Sequence, residues 1–319
     1  MRNFGHMKPI IILLLLPLLV AGCRDSAAGR VSVERLTSAD ALNSSPGGSS
    51  SMMIAFGAGS DTTEWRTFAR QFGQSEAMRI FGHDVDSLMP DLSAFTDEIN
   101  ALYDNIAATL PEAQLMRRIY ATVIPYSQSV IIPPGRDSVV IIGLNHYLGS
   151  DYDGYSSFAA YQRARKEPSR MTRDIAEATV RAAYPFQTPS SPTLLQRMLY
   201  EGGIASALAR LMPGDAAKAI GIPEDDFDRL SRDEKEIWQR MVGSDMLFNR
   251  SVRLANAMLR EGASASVLGE RTPSLAGRFI GWRIAEAYLD SHPDAAVASL
   301  LQPAYYLADQ TLREARYAP

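Results

Sequence analysis

The sequence has little of several residue types that carry chemistry in other proteins. Among its 319 residues there are one cysteine, Cys23, and four histidines. A single thiol excludes an intramolecular disulfide and any metal site built from several cysteines. The 32 Lys and Arg residues are matched by 36 Asp and Glu residues, and no basic cluster is present. We therefore expect no nucleic-acid partner.

Long hydrophobic runs are also scarce, and the most informative one lies at the start of the chain. Residues 10–20 are apolar, follow Lys8 and lead into Ala21-Gly22-Cys23. A bilayer span needs about 20 apolar residues, whereas a basic start, a shorter apolar run and small residues before the cut form a secretory signal. A cysteine at the cut matches a lipobox. We predict a lipoprotein signal peptide over residues 1–22, with Cys23 carrying the lipid that anchors the protein in the cell envelope, at the outer membrane.

The composition then changes along the rest of the chain. Residues 23–51 are rich in Ser, Gly, Ala and Asn and are predicted to form a flexible tether, with one folded domain over residues 52–319. Helical periodicity dominates this domain, apart from β-branched runs at 119–124, 129–132 and 138–142. The short connections between these runs favour antiparallel pairing. The predicted fold class is α+β, a mostly helical domain with a small antiparallel sheet.

One histidine stands in an unusual context. His146 lies in the segment 143–149, directly after the third predicted strand, and acidic residues and tyrosines follow it. A loop at the end of a strand is a common place for a functional site. A structural histidine that closes a turn is the other interpretation, and the residues alone leave both open.

Glycines inside predicted helices form another pattern. Gly277 and Gly281 are four residues apart, so they share one helix face and allow a second backbone to approach, with Trp282 beside them. Gly202 and Gly203 follow Glu201 directly, although each glycine costs a helix roughly 1 kcal/mol relative to alanine. We expect close packing at these positions, or room for a ligand.

Short segments spread along the chain carry a family resemblance. They are Val140–Gly149, Tyr161–Arg163, Thr193–Leu195, Tyr200–Gly202, Leu211–Pro213, Glu236–Trp238, Gly277–Arg278, Gly281–Ile284 and Arg316–Pro319. In this order they resemble the GldB-like gliding-motility lipoproteins of Bacteroidetes, over roughly residues 91–319, with Asn145 where that family usually has Asp. The resemblance implies a lipid-anchored envelope protein that acts by binding or assembly with other envelope proteins. It does not imply a reaction.

That family is in turn distantly similar to gluzincin-type zinc peptidases. In those enzymes a His-Glu-x-x-His helix supplies two zinc ligands and a base, and a later helix supplies a Glu ligand. By position Glu177 matches the base and Glu201 the later ligand, but Ala176 and Val180 replace both histidines. Catalytic zinc normally needs three protein ligands. The resemblance thus implies a degenerate zincin-like domain without a metal or other cofactor.

The candidate residues of this degenerate site are Glu177, Glu201 and His146, and none of them is assigned a catalytic role. For the two glutamates a buried polar network, a small-ligand pocket and plain surface charge all remain open. The function predicted from the sequence is a non-catalytic, lipid-anchored envelope protein. The alternative is a zinc-dependent peptidase with atypical ligands, which the zinc content of the purified protein would reveal.

Overall fold

The structure, a computed structural model, describes residues 29–58, 64–133 and 139–319. Residues Val31–Pro319 form one compact unit. The unit has an α+β fold, mostly helical with a small sheet, so the predicted fold class is confirmed. The predicted signal peptide and Cys23 lie outside the described residues. In the part of the chain that the structure describes, no helix has the length and hydropathy needed to span a membrane.

Helices make up most of the described chain. In order they are α1 (Ala39–Ser44), α2 (Pro46–Ala55), α3 (Trp65–Gly73), α4 (Glu76–Leu88), α5 (Ser93–Thr109), α6 (Ala160–Arg163), α7 (Met171–Ala183), α8 (Leu194–Leu211), α9 (Ala216–Ile220), α10 (Glu224–Arg232), α11 (Glu234–Gly243), α12 (Val252–Leu259), α13 (Ala276–Ser291), α14 (Pro303–Tyr306) and α15 (Thr311–Ala315). The strands are β1 (Ser32–Arg35), β2 (Arg118–Thr122), β3 (Val130–Ile131) and β4 (Val139–Gly143).

The described strands form one mixed sheet in the order β1-β2-β4-β3. Strands β2, β3 and β4 lie where the β-branched runs predicted them, but the expected antiparallel arrangement is wrong for most of the sheet. Only β3 and β4 pair antiparallel, whereas β1 with β2 and β2 with β4 are parallel. The reason is that β3 carries the chain back along the sheet. Strand β4 therefore runs in the same direction as β2, and it pairs with β2 as well as with its neighbour in sequence.

The predicted tether is a second correction, because much of it belongs to the folded unit. Strand β1 and helices α1 and α2 all begin before residue 52. Strand β1 pairs with β2, and Ser49, Ser50 and Ser51 of α2 are buried. Ser49 donates a hydrogen bond to the carbonyl of Leu42 at 2.7 Å. Small residues here permit close packing, so a serine- and glycine-rich composition did not indicate flexibility.

Three helices position the site. Helix α7 packs against β3 and β4 on one side and against α8 on another, and α8 packs against α13. Helix α8 begins with a capping box, in which Thr193 Oγ1 accepts from the Gln196 amide and Gln196 Oε1 accepts from the Thr193 amide. Most of α8 is buried. Glu201 is therefore a charged residue in the middle of a central helix.

Candidate functional site

The two glutamates singled out in the sequence face each other across the contact between α7 and α8. Glu177 and Glu201 have side chains that are 15% and 19% exposed, respectively. Both form ion pairs with the same two arginines, Arg181 and Arg278. The two carboxylates therefore lie on neighbouring helices and share their ion-pair partners. Plain surface charge is excluded as their role.

Arg181 bridges the two carboxylates. One turn after Glu177 on α7, its Nε and Nη2 donate to Glu177 Oε1 at 2.9 and 2.6 Å. Its Nη1 and Nη2 donate to Glu201 Oε1 and Oε2 at 2.9 and 2.6 Å. Such forked contacts between a guanidinium and carboxylates are among the strongest hydrogen bonds in proteins. The guanidinium occupies the space between the two acids.

Arg278 reaches the same pair from α13. The chain enters this helix through Leu275, whose φ of 64° is left-handed. Three residues later, Arg278 Nη1 donates to Glu177 Oε1 at 2.9 Å and to Glu201 Oε2 at 3.0 Å. The residue is only 5% exposed. Three helices are thus connected by one ionic contact.

Arg173 completes the cluster from the turn before Glu177. It forms an ion pair with Glu177 Oε2, donates to Asp174 Oδ1 at 3.0 Å, and donates to the carbonyl oxygens of Ala219 and Ile220 at 3.3 Å each. Gly221 next to these carbonyls has a φ of 81°, and a side chain there would overlap the Arg173 guanidinium. We call Arg173, Glu177, Arg181, Glu201 and Arg278 the arginine–glutamate cluster.

Charge pairing sets the protonation of the arginine–glutamate cluster. Burial alone would raise the pKa of Glu177, but the charges of Arg173, Arg278 and Arg181 outweigh it and hold that pKa well below its usual range. Burial opposes the charge of Arg181, yet Glu201 and Glu177 raise its pKa well above the ordinary value. A general base works best with a pKa near the working pH. Glu177 is therefore a permanently charged ion-pair partner and a poor base.

The cluster lines a cavity of about 200 Å³. Its walls come from α7, α8 and α13 and from the segments around α9 and α12. The lining residues are Arg165, Arg170, Arg173, Glu177, Arg181, Glu201, Ile220, Gly221, Leu259, Glu261, Leu275 and Arg278. Arg165 is paired with Glu261 at 2.8 Å.

His146, the third candidate from the sequence, is not brought to this cluster. It lies in a short 3-10 turn (Leu144–His146) after β4, and its Nδ1 is 3.3 Å from Lys166 Nζ. Among the described hydrogen bonds none joins it to Glu177 or Glu201. Burial, with the charge of Lys166 adding to it, lowers the pKa of His146 to about 4. The imidazole is therefore neutral near pH 7, which agrees with a structural role.

Asn145, the departure from the family pattern, has a clear structural role. Its Oδ1 accepts from the Ile124 amide at 2.8 Å and its Nδ2 donates to the Ile124 carbonyl at 3.0 Å. An ionised Asp has no N–H to donate and could make only the first of these bonds. By pairing with both backbone groups of one residue, the amide joins the turn after β4 to the segment that follows β2.

The residues of this site do not fit a zinc ion. Ala176 and Val180, where the expected zincin-like site would need histidines, are fully buried in the hydrophobic core. The carboxylates of Glu177 and Glu201 are already paired with guanidinium groups. Among residues 29–58, 64–133 and 139–319, no group of three His, Cys, Asp or Glu side chains is arranged to hold a metal.

The arginines of the cluster were not predicted from the sequence, although part of the signal was present. Arg173, Glu177 and Arg181 are spaced by four residues, so they lie along one face of α7, where opposite charges attract. Arg278 is separated from them by about a hundred residues, and only the packing of α13 on α8 places it there.

Comparison with known proteins gives one finding. Residues 48–319 match the family described as gliding motility protein GldB. The match begins within α2, in the segment that had been predicted as a tether. No curated protein and no solved structure matches the chain.

Proposed function

Because the chain belongs to the gliding motility protein GldB family, a family of lipoproteins, we propose that it is a lipid-anchored protein of the outer membrane that takes part in gliding by binding or assembly and catalyses no reaction. Its partners in this proposal are other proteins of the cell envelope. The family match supports the link to gliding and to lipid attachment. The arginine–glutamate cluster supports the absence of catalysis.

The observation that carries the non-catalytic role is the pairing of the two carboxylates. Every carboxylate oxygen of Glu177 and Glu201 accepts from at least one guanidinium. A base must be able to take up a proton, and a metal ligand must have a free lone pair directed at the ion. Arg173, Arg181 and Arg278 hold Glu177 in its ionised form, and the positive charges of Arg181 and Arg278 beside Glu201 oppose the approach of a metal cation.

Two matched substitutions test this role. Each is made in the cells that carry the gene, where gliding and the amount of folded protein are measured. Glu177→Gln and Arg181→Gln each remove one charge from the same ion pair, but only Glu177→Gln removes the residue in the position of a catalytic base. If the pair is structural, the two variants retain gliding in proportion to the amount of folded protein. Loss of gliding in Glu177→Gln alone, at equal abundance of the two variants, would contradict the proposal. Stoichiometric zinc in the purified wild-type protein would favour the peptidase alternative.

Anchoring is tested separately by removing the thiol. Cys23→Ser lacks the sulfur to which lipid would be attached, so we expect the variant to leave the membrane fraction. If it remains there after a high-salt wash, the anchor is not Cys23. Fractionation of inner and outer membranes of the wild-type cell tests the proposed location at the outer membrane.

The proposal includes a zincin-like origin of the scaffold, supported by the meeting of Glu177 and Glu201 on facing helices. Ala176→His combined with Val180→His would supply both missing imidazoles, and zinc would then have to displace Arg181 and Arg278 from Glu201. If the helices face each other as in a zincin, zinc should raise the melting temperature of the folded double variant and leave the wild type unchanged. Ala176→His alone is the control, since one added imidazole leaves too few ligands. No shift in the folded double variant would refute this origin.

A further inference from the structure

The cavity beside the arginine–glutamate cluster has more positive than negative charge. Five arginines line it, against three glutamates. Asp174, which accepts from Arg173, is a fourth acid close to its wall. The five arginines and four acids together therefore carry one excess positive charge. A buried charge is costly unless it is paired, so the excess calls for an anionic partner.

Two of these arginines also have unused hydrogen-bond donors. In Arg278, Nε and Nη2 are buried and find no partner among the described residues, although Nη1 binds both glutamates. In Arg170, which precedes α7, Nε and Nη2 are likewise buried and unpaired within the described part of the chain. Buried polar groups are nearly always hydrogen-bonded in native proteins. Four buried guanidinium nitrogens, on two arginines that line the cavity, are thus without an acceptor.

The acids near Arg170 do not fully compensate its charge. Burial lowers the pKa of this guanidinium, and the charge of Arg173 adds to the effect, while Asp174 and Glu261 only partly oppose it. Glu261 is itself paired with Arg165. The acids near Arg170 are therefore engaged with other arginines.

We propose that the cavity binds a carboxylate group, supplied by a small organic acid or by the C-terminus of a peptide. A carboxylate has a single negative charge, equal to the excess charge of the cavity residues. It also offers about four lone-pair positions as acceptors for the N–H groups of the unpaired guanidinium nitrogens. Guanidinium and carboxylate groups are matched in shape for paired hydrogen bonds. This inference deepens the proposed binding function by naming the ligand chemistry.

Binding of a matched pair of peptides to the full chain, purified in detergent, tests the inference. The probes are an N-acetylated alanine tripeptide with a free C-terminal carboxylate and the same peptide with a C-terminal amide, followed by calorimetry and thermal melting. We expect the acid to bind at least tenfold more tightly than the amide and to raise the melting temperature. Acetate binding equal to that of the acid peptide would indicate a small organic acid as the natural ligand, and tighter peptide binding a chain terminus.

Two variants locate the site. Arg170→Gln removes unpaired donors without breaking a described hydrogen bond, and should weaken binding of the acid peptide at least tenfold. Arg79→Gln removes the same charge from an exposed arginine of α4, whose side chain is 72% exposed, and should leave binding unchanged. Equal losses in the two variants would show non-specific attraction and overturn the site.

The wild-type protein alone also decides the inference, if Arg170→Gln fails to fold. Equal binding of acid and amide, tighter binding of inorganic phosphate than of acetate, or no binding of any probe at millimolar concentration would each refute a carboxylate site. None of these results bears on the absence of catalysis, which the Glu177→Gln and Arg181→Gln pair tests. Failure of the site and failure of the proposed function are therefore distinguishable.

Discussion

Helix α8 meets α13 in two contrasting ways at adjacent residues. At Gly202 the two backbones touch: a side chain there would overlap the carbonyl of Gly281 and the amide nitrogen of Trp282, and one on Gly281 would overlap the carbonyl of Met198. At Glu201 the helices meet through long charged side chains, with Arg278 donating from α13. The glycine contact leaves no space for adjustment, whereas the charged contact has several rotatable bonds on each side.

The contrast indicates which contact sets the geometry. Backbones in van der Waals contact fix the distance between the helices, and the charged groups adapt to that distance. Taking charges out of water is costly, so a buried ion pair is weak grounds for stability, although removing one partner leaves the other buried and unpaired. We therefore expect Gly202 and Gly281 to stabilise the helix pair and the arginine–glutamate cluster to orient its side chains.

The largest effect is expected at the glycine contact. Gly202→Ala places a methyl group against backbone atoms that cannot move aside by rotation, so we expect a loss of about 3 kcal/mol or more in the free energy of unfolding. Urea denaturation measures it. Gly243→Ala is the control, because nothing lies within 4 Å of a side chain at that helical glycine and the change should be neutral or slightly stabilising. Similar losses in both would refute the close contact.

A smaller loss is expected at the charged contact. Glu201→Ala leaves Arg181 and Arg278 with fewer acceptors, and Glu201 is 19% exposed, so we expect a cost of about 2–3 kcal/mol. Glu236→Ala breaks an exposed pair with Arg240 on α11, where both side chains are about half exposed or more. That control should cost less than about 0.5 kcal/mol. A cost for Glu201→Ala no greater than for Glu236→Ala would contradict a buried network.

His146 is buried near Lys166, and the charge of Asp174 only partly offsets the effect of burial on its pKa, so its contribution to stability depends on pH. Its pKa is about 4 in the folded protein against an ordinary 6.5, so between these pH values the unfolded chain binds more protons. Stability must then fall as the pH drops from about 6.5 towards 4. We expect His146→Gln to remove a difference of about 1 kcal/mol between pH 7 and pH 5.5. His83→Gln, at an exposed position of α4, should leave it in place.

The sequence predicted elements and local contacts better than it predicted long-range pairing. The β-branched runs located β2, β3 and β4, and the spacing of Gly277 and Gly281 predicted close packing that the structure confirms at both glycines. The strand order could not be predicted in the same way. It depends on β4 pairing with β2 on one side and with β3 on the other. Local patterns contain no information on that pairing.

The candidate site was likewise predictable from the sequence only in its local features. Glu177 and Glu201 were identified by position and do meet, and the four-residue spacing of Arg173 and Arg181 was visible in the sequence. The contribution of Arg278 depends on the packing of α13 against α8, which no local pattern reveals. The segment before residue 52 was misjudged because small and polar residues are typical both of linkers and of tightly packed helices. Only burial in the structure distinguishes the two.

The energetic coupling of Glu201 and Arg181 tests most directly whether the two carboxylates form a structural ionic network. A double-mutant cycle compares the free energies of unfolding of the wild type, Glu201→Ala, Arg181→Ala and the double variant. Our account predicts a coupling of about 1–3 kcal/mol, with the double variant less destabilised than the sum of the single changes. Additive losses, with a coupling below about 0.5 kcal/mol, would contradict it and leave Glu201 and Glu177 free for other chemistry.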